Sequence, residues 1–165
     1  MESTNRERTF TWSDPVEAAQ QAAATSGFDF LQAILKGEIP APPILKTLDI
    51  SVATLAPGSA SFTFTPQEFH YNPIGTVHGG VITTILDSAM GCSLHSTLPQ
   101  GVAYTTLELK VNFLKAVTIK SGLLTATGKV IQSGSRVALT EAQLTGPDGA
   151  VYAHAVSTCL ILKKE

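Results

Sequence analysis

Two periods divide the chain. Between Val81 and Leu94 the apolar residues Val81, Ile82, Ile85, Leu86, Ala89, Met90 and Leu94 recur at helical spacing and cover most of the circumference, which predicts a helix buried nearly all round. From Leu48 the period is two: Ile50, Val52 and Thr54 alternate with Ser51 and Ala53. Pro57-Gly58 then predicts a turn and Ala60 to Thr65 a second strand, an antiparallel hairpin. After Pro99-Gln100-Gly101 comes the longest strand signal, with Thr105, Leu107, Leu109, Val111 and Phe113 on one face and Thr106, Glu108, Lys110 and Asn112 on the other. The odd-numbered face is expected to cover the helix. Three more strands are expected at 121–131, 136–145 and 151–162, separated by turns at Ser133-Gly134 and Gly146-Pro147-Asp148-Gly149. Two strands, one buried helix and four strands are satisfied by an α+β fold in which an antiparallel sheet of about six strands wraps around a central helix.

The residues before this pattern have another character. Residues 1–13 are polar and expected to be poorly ordered up to Trp12. Asp14 followed by Pro15 signals a helix over 16–25 that Gly27 stops, and a second short helix is expected over 29–36, ending at Gly37. The run IPAPPI at 39–44 reads as an extended connector. The chain thus divides into an N-terminal helical appendage with its linker, 1–47, and a main domain, 48–165. Packing is the role expected of the appendage, with a substrate lid as the alternative.

A length of 165 residues with 44% hydrophobic content fits one domain with a real core. The net charge of -2 and the lack of a strongly basic face argue against nucleic acid. Cys92 and Cys159 have no CxxC spacing and fall in apolar segments, so they read as core residues of a reducing compartment. The N-terminus has no apolar leader, and Thr83, Thr84, Asp87 and Ser88 interrupt the central helix, so a cytoplasmic protein that does not enter the membrane is expected. His70, His78, His95 and His154 lack metal-binding spacing, and no GxSxG elbow is present.

One helical stripe carries chemistry. Gly80, Thr84, Asp87 and Gly91 lie at i, i+4, i+7 and i+11, which sets the helix's one carboxylate among small residues. A buried carboxylate must be paired, protonated or used, so Asp87 either caps or pairs structurally or serves as a catalytic base. Gly79 and Gly80 lie in the first turn, where backbone N–H groups lack helical partners and the dipole is positive, a site for an oxyanion. A tight turn needing small residues is the alternative. Between Gly101 and Arg136, the basic residues Lys110, Lys115, Lys120, Lys129 and Arg136 face a single acid, Glu108. That imbalance fits solvated strand faces or a ligand bearing phosphates.

The lead-in NPIGTVHGG followed by VITTILD resembles the signature of hot-dog-fold acyl-CoA thioesterases, in particular the phenylacetate-degradation (PaaI-like) branch. The residues that carry the resemblance are Asn72, Pro73, Gly75, His78, Gly79, Gly80 and Asp87, and it extends from about Leu48 to Leu162. It implies hydrolysis of an acyl-CoA thioester to free acid and CoA, with no cofactor beyond the coenzyme A of the substrate. Gly79, with or without Gly80, is then expected to bind the oxyanion, and Asp87 to act as base or nucleophile. Asn72 and His78 are expected to position substrate or water, with His78 only holding the loop as the alternative, and Thr105 to orient Asp87 or the water. Lys115, Gly134, Ser135 and Arg136 are the residues the resemblance suggests for the CoA moiety. Tyr71, Met90, Leu94, Tyr104 and Phe113 are candidates for an acyl pocket, or for ordinary core packing. A homodimer or a tetramer built as a dimer of dimers, with sites shared between subunits, is the assembly the resemblance implies. A same-fold hydratase or dehydratase using His78 with Asp87, and a non-catalytic acyl-CoA sensor, remain the alternatives.

Overall fold

The computed structural model describes residues 5–163. Three short helices come first: α1 (Pro15–Ala24), α2 (Gly27–Leu35) and α3 (Pro43–Leu48). They are followed by strands β1 (Ile50–Ala56) and β2 (Ser59–Phe64), then by helix α4 (Gly79–His95). Four strands complete the chain: β3 (Val102–Phe113), β4 (Leu124–Ser133), β5 (Val137–Thr145) and β6 (Val151–Lys163). The six strands form one sheet in the order β1-β2-β4-β5-β6-β3, each pair antiparallel. This is the expected sheet wrapped around a single long helix.

Helix α4 packs against every strand of the sheet. Its Ile82, Ile85, Leu86, Ala89 and Met90 share a core with Phe62, Phe64, Leu124 and Leu144, and burial of such side chains contributes about 1.5 to 3 kcal/mol each. The helix backbone rests directly on β4 at Gly128, where a Cβ would lie 2.3 Å from the Ala89 carbonyl oxygen, so no larger residue fits there. Ser93 ties the two layers together by donating its Oγ–H to the Ala89 carbonyl at 2.6 Å and accepting the Ala60 N–H at 3.1 Å.

The alternation expected along β3 breaks in the middle. Pairing with β6 shifts between Thr106 and Glu108, a bulge that inserts one residue and exchanges the faces. Before the bulge Tyr104 and Thr106 turn inward while Thr105 and Leu107 are exposed; after it Leu109 and Val111 turn inward as expected. Phe113, also expected inward, is 54% exposed.

The appendage differs from expectation in two places. The connector stops at Pro42: Pro43 opens α3, its fixed φ suiting a first helical turn, and Leu48, the start of the two-residue period, is the last residue of that helix. Asp49 at its end takes a left-handed φ of 53° before β1 begins. Residues ahead of α1 are also tied down. Arg8 donates to the carbonyls of Lys46, at 2.8 Å, and of Thr47, and lies 4.0 Å over the Phe69 ring, while Arg6 pairs with Glu68. Poor order up to Trp12 is therefore not what residues 6–8 show, and residues 1–4 lie outside those described. Phe30, Leu31, Ile34 and Ile39 form a small core of their own against Val52, Leu55 and Cys92, which joins the appendage to the sheet and to α4. Among the described residues no helix is long and apolar enough to cross a membrane.

Candidate active site

At its N-terminal end, α4 is entered through a turn built from its own neighbours. Asn72 Oδ1 accepts the N–H groups of Ile74 and Thr76, both at 3.1 Å, and its Nδ2 donates to Thr76 Oγ1 at 2.9 Å. Gly75 within the turn has φ 79°, the left-handed region that favours glycine. The lead-in is anchored by Val77 N–H to Val117 O and His78 N–H to His70 O, both 2.8 Å. His78 then caps the helix: its Nδ1 accepts the Gly80 N–H at 2.8 Å and its carbonyl accepts the Val81 N–H at 2.9 Å. In the neutral ring this leaves the proton on Nε2. Gly80 is thereby removed as an oxyanion donor. Gly79 is left as the first-turn N–H with no acceptor among the described residues, at the positive end of the helix dipole. Phe113 closes over it, since a Cβ on Gly79 would stand 3.1 Å from the ring.

Two neighbouring side chains serve structure. His70 is buried, with Nδ1 accepting the Gln67 N–H at 3.0 Å and Nε2 facing the Leu48 carbonyl at 2.9 Å. Burial holds its pKa below the ordinary histidine value, opposed by the bond to Leu48. Tyr71 accepts the Ile119 N–H on its hydroxyl at 2.9 Å.

Asp87 lies two turns further along α4. Its Oδ1 accepts a hydrogen bond of 3.0 Å from the Thr106 hydroxyl, and no cation pairs with it among the described residues. Among the described residues it caps no backbone segment, so neither structural reason for a half-buried carboxylate is met there. The hydroxyl beside it belongs to Thr106, not to the expected Thr105, because the bulge in β3 points Thr105 to solvent. Asp87 opens into a hollow of about 270 Å3 whose apolar walls include Phe30, Leu31 and Ile34 of α2, Leu45 of α3 and Phe62 of β2. Burial, reinforced by the neighbouring Asp87 charge, pushes the Cys92 thiol in the same wall up to about 12, so it stays protonated and unreactive near neutral pH. Tyr104 lines the hollow as expected, whereas Met90 and Leu94 are fully buried in the core.

Within one chain these parts do not converge. Gly79 and Asp87 are eight residues apart on one helix, about 12 Å of axial rise, too far to address one carbonyl. Asn72, Gly79, Phe113 and Lys115 share a shallow hollow at the N-terminal end of α4. Lys115 is half-exposed there, 3.9 Å from Asp148 and 4.7 Å from the centre of the Tyr152 ring. Gly134, Ser135 and Arg136 form the exposed β4–β5 turn at the far end of the sheet. The row Val137–Leu160–Thr105 marks that end and Leu144–Ala153–Phe113 the other, so Arg136 and Lys115 are separated by roughly 25 Å of strand. Sequence reasoning missed Thr106, hidden by the bulge, and the α2 wall; for the latter the signal was present in the helical spacing of Phe30, Leu31 and Ile34.

Comparison with known proteins places this geometry among relatives. Residues 74–153 match the thioesterase superfamily. A protein of Saccharolobus solfataricus described as a candidate esterase is 32% identical over 123 residues, which is 74% of this chain and 86% of its own length. Acyl-coenzyme A thioesterase 13 of Homo sapiens is 26% identical over 96 residues, covering 58% of this chain and 67% of that protein. A crystal structure from Ralstonia eutropha JMP134, described as a candidate thioesterase related to phenylacetic acid degradation, matches with a TM-score of 0.70 and 28% identity, over 78% of this chain and 97% of that one.

Proposed function

This chain belongs to the hot-dog-fold thioesterase superfamily, and from that membership we propose that it hydrolyses acyl-CoA thioesters to the free carboxylic acid and CoA. The observation that carries the reading is Asp87, a carboxylate with no cation partner among the described residues, held by Thr106 and opening onto an apolar hollow. As a base it takes a proton from water, whose oxygen bonds to the thioester carbon; as a nucleophile its own oxygen does so and water releases the acyl group afterwards. In either course the C–S bond breaks. In the first the proton held by Asp87 passes to the departing CoA sulfur; in the second CoA leaves as a thiolate, with the proton released by the water that later cleaves the acyl-Asp87 bond. Negative charge on the carbonyl oxygen is taken up by the Gly79 N–H, a kind of contact typically worth about 3 to 4 kcal/mol. His78 and Asn72 act on that donor by shaping the turn and the cap that present it. Coenzyme A belongs to the substrate, and the proposed chemistry draws on no cofactor.

The separation of Gly79 from Asp87 supports a site made by two copies of the chain, Gly79 of one facing Asp87 and Thr106 of the other. Strand β3 is a free sheet edge of 12 residues, and a pair of such edges satisfies the unpaired N–H and C=O groups of both. A homodimer is thus the smallest working unit, and a tetramer would double it. Lys115 and the 134–136 turn, distant within one chain, remain the proposed contacts for the phosphates and pantetheine of CoA. Two free thiols suit a cytoplasmic setting, which is reducing. The test is a panel of acyl-CoA substrates with detection of the released thiol. Turnover in the wild type and its loss in Asp87→Asn are expected; a folded wild type that binds the panel without releasing CoA is a sensor, and the hydrolytic reading falls.

A further inference from the structure

Two hollows lie beneath the N-terminal helices, and the same pair of side chains borders both. The first is the hollow of about 270 Å3 that holds Asp87. The second, about 370 Å3, lies between Ala19, Ala22 and Ala23 of α1 and the strands β3 and β6 at Val102 and Leu162. Tyr104 and His95 face each of them. Tyr104 is wedged against α4 at Gly91, where a Cβ would come within 2.5 Å of its hydroxyl oxygen. The small residue at that point of the Asp87 stripe thus makes room for a side chain of the same chain. The Tyr104 ring meets His95 with centroids 5.5 Å apart, and His95 meets Phe30 of α2 at 5.8 Å. The three rings form a continuous partition from strand to roof.

We propose that Tyr104 and His95 are specificity-determining residues that form the end wall of the acyl pocket, restrict the acyl group to short and medium chains, and close off a second hollow able to take a longer one. The assignment rests on the hydrolytic reading of Asp87 above. The hollow at Asp87, about 270 Å3, is the smaller of the two, so an acyl chain that outgrows it needs the adjoining hollow of about 370 Å3, from which the wall separates it. The wall presents no charge to a hydrocarbon chain: burial holds His95 below its ordinary value and Tyr104 well above its own. The roof and the second hollow come from α1 and α2, which precede the matched superfamily segment at 74–153. The appendage, for which packing was the preferred expectation and a substrate lid the alternative, is therefore assigned the choice of substrate.

The experiment compares kcat/KM for hexanoyl-, octanoyl-, dodecanoyl- and hexadecanoyl-CoA. In the wild type the value falls at least about tenfold from octanoyl to dodecanoyl, the scale of discrimination that apolar pockets achieve. Tyr104→Ala and His95→Ala raise dodecanoyl turnover to within about threefold of octanoyl. Adding Ala22→Phe to Tyr104→Ala fills the second hollow and restores the wild-type cut-off, while Ala22→Phe alone leaves the profile unchanged. Tyr104→Leu, with a smaller opening and an apolar side chain kept in place, makes the same comparison should the alanine variant not fold. A folded wall variant with the wild-type cut-off, or a gain that Ala22→Phe does not reverse, overturns the proposal. Calorimetric binding of the same thioesters to Asp87→Asn reads the chain-length profile without turnover. A wall that fails shows in binding as well, whereas a failed hydrolytic reading shows only in turnover.

Discussion

The two ends of the proposed chemistry, both on α4, are held by different kinds of structure. Gly79 is presented by a turn whose hydrogen bonds run mostly between residues 70 and 81, with Asn72, Gly75 and His78 each satisfying a local backbone need. Asp87 is held by a threonine nineteen positions away on a bulged strand, in a hollow roofed by helices nearly sixty positions earlier. The first arrangement is local and tolerates little change in sequence. The second depends on tertiary packing, and its walls can change without disturbing the carboxylate. A hydrolase built this way can keep the oxyanion end fixed while varying its substrate at the Asp87 end.

The sharpest way to break this comparison is at Asp87. Asp87→Asn keeps the Thr106 bond and the shape of the side chain while removing the base, so kcat should fall at least about a hundredfold with little change in melting temperature. Activity within threefold of wild type in the folded variant would mean that the carboxylate end is not catalytic.

At the other end the donor is a backbone group, so substitution acts by obstruction. Gly79→Val pushes a side chain toward Phe113, 3.1 Å from the first added carbon, and screens the N–H. Loss of about ten- to a hundredfold is expected, below the full worth of an oxyanion donor because the N–H itself remains. Phe113→Ala in the same background separates the ring clash from the screening: recovered stability without recovered turnover assigns the loss to the donor. Mixing Gly79→Val with Asp87→Asn after subunit exchange should restore up to about a quarter of the sites by random pairing. No recovery despite demonstrated heterodimers would confine both ends to a single chain.

Thr105 and Thr106 offer a finer contrast, and they show where sequence reading reaches its limit. Thr106→Ala removes the threonine hydroxyl's hydrogen bond to Asp87 and should lower kcat about five- to tenfold, the equivalent of a bond worth about 1 to 1.4 kcal/mol, while Thr105→Ala on the solvent face should stay within about twofold. Equal effects of the two would mean that the bulge does not persist in the working enzyme. The fold was legible because strong periods and turn residues agree: the all-round apolar helix, the Gly146 to Gly149 turn and the alternating strands each admit one reading. The motif at 72–80 was legible because its bonds are local. Parity along β3 was not, since a one-residue insertion leaves no composition signal and inverts every side chain beyond it. Nor was the roof over Asp87: the spacing of Phe30, Leu31 and Ile34 marks an apolar face of α2, but what that face covers is set by tertiary packing.

The weakest effect expected concerns stability, and it lies under the local end. His70 anchors the lead-in to α4 through its carbonyl, which accepts the His78 N–H, and through a neutral ring that donates from Nε2 to Leu48 O and accepts the Gln67 N–H on Nδ1. A second proton would go to Nδ1, where it would face that N–H and break the bond, and it would place a charge in a buried site. Burial is accordingly the main reason its pKa lies below the ordinary value; nearby Arg8 also lowers it, while the Leu48 bond and Asp49 oppose the shift. Between the folded value and about 6.5 the unfolded chain therefore binds more protons than the native one, so stability is complete above about pH 6.5 and is lost as pH falls through the folded value. Melting temperature measured from pH 8 to 5 should decline in the lower half of that range. His95, also lowered by burial, contributes in the same direction, so the diagnostic quantity is the difference between wild type and His70→Asn. The variant should melt lower than wild type at pH 8 and show a shallower decline toward pH 5. An equally steep decline in His70→Asn would mean that the acid sensitivity arises elsewhere, and that the anchor of the local end does not depend on the charge state of His70.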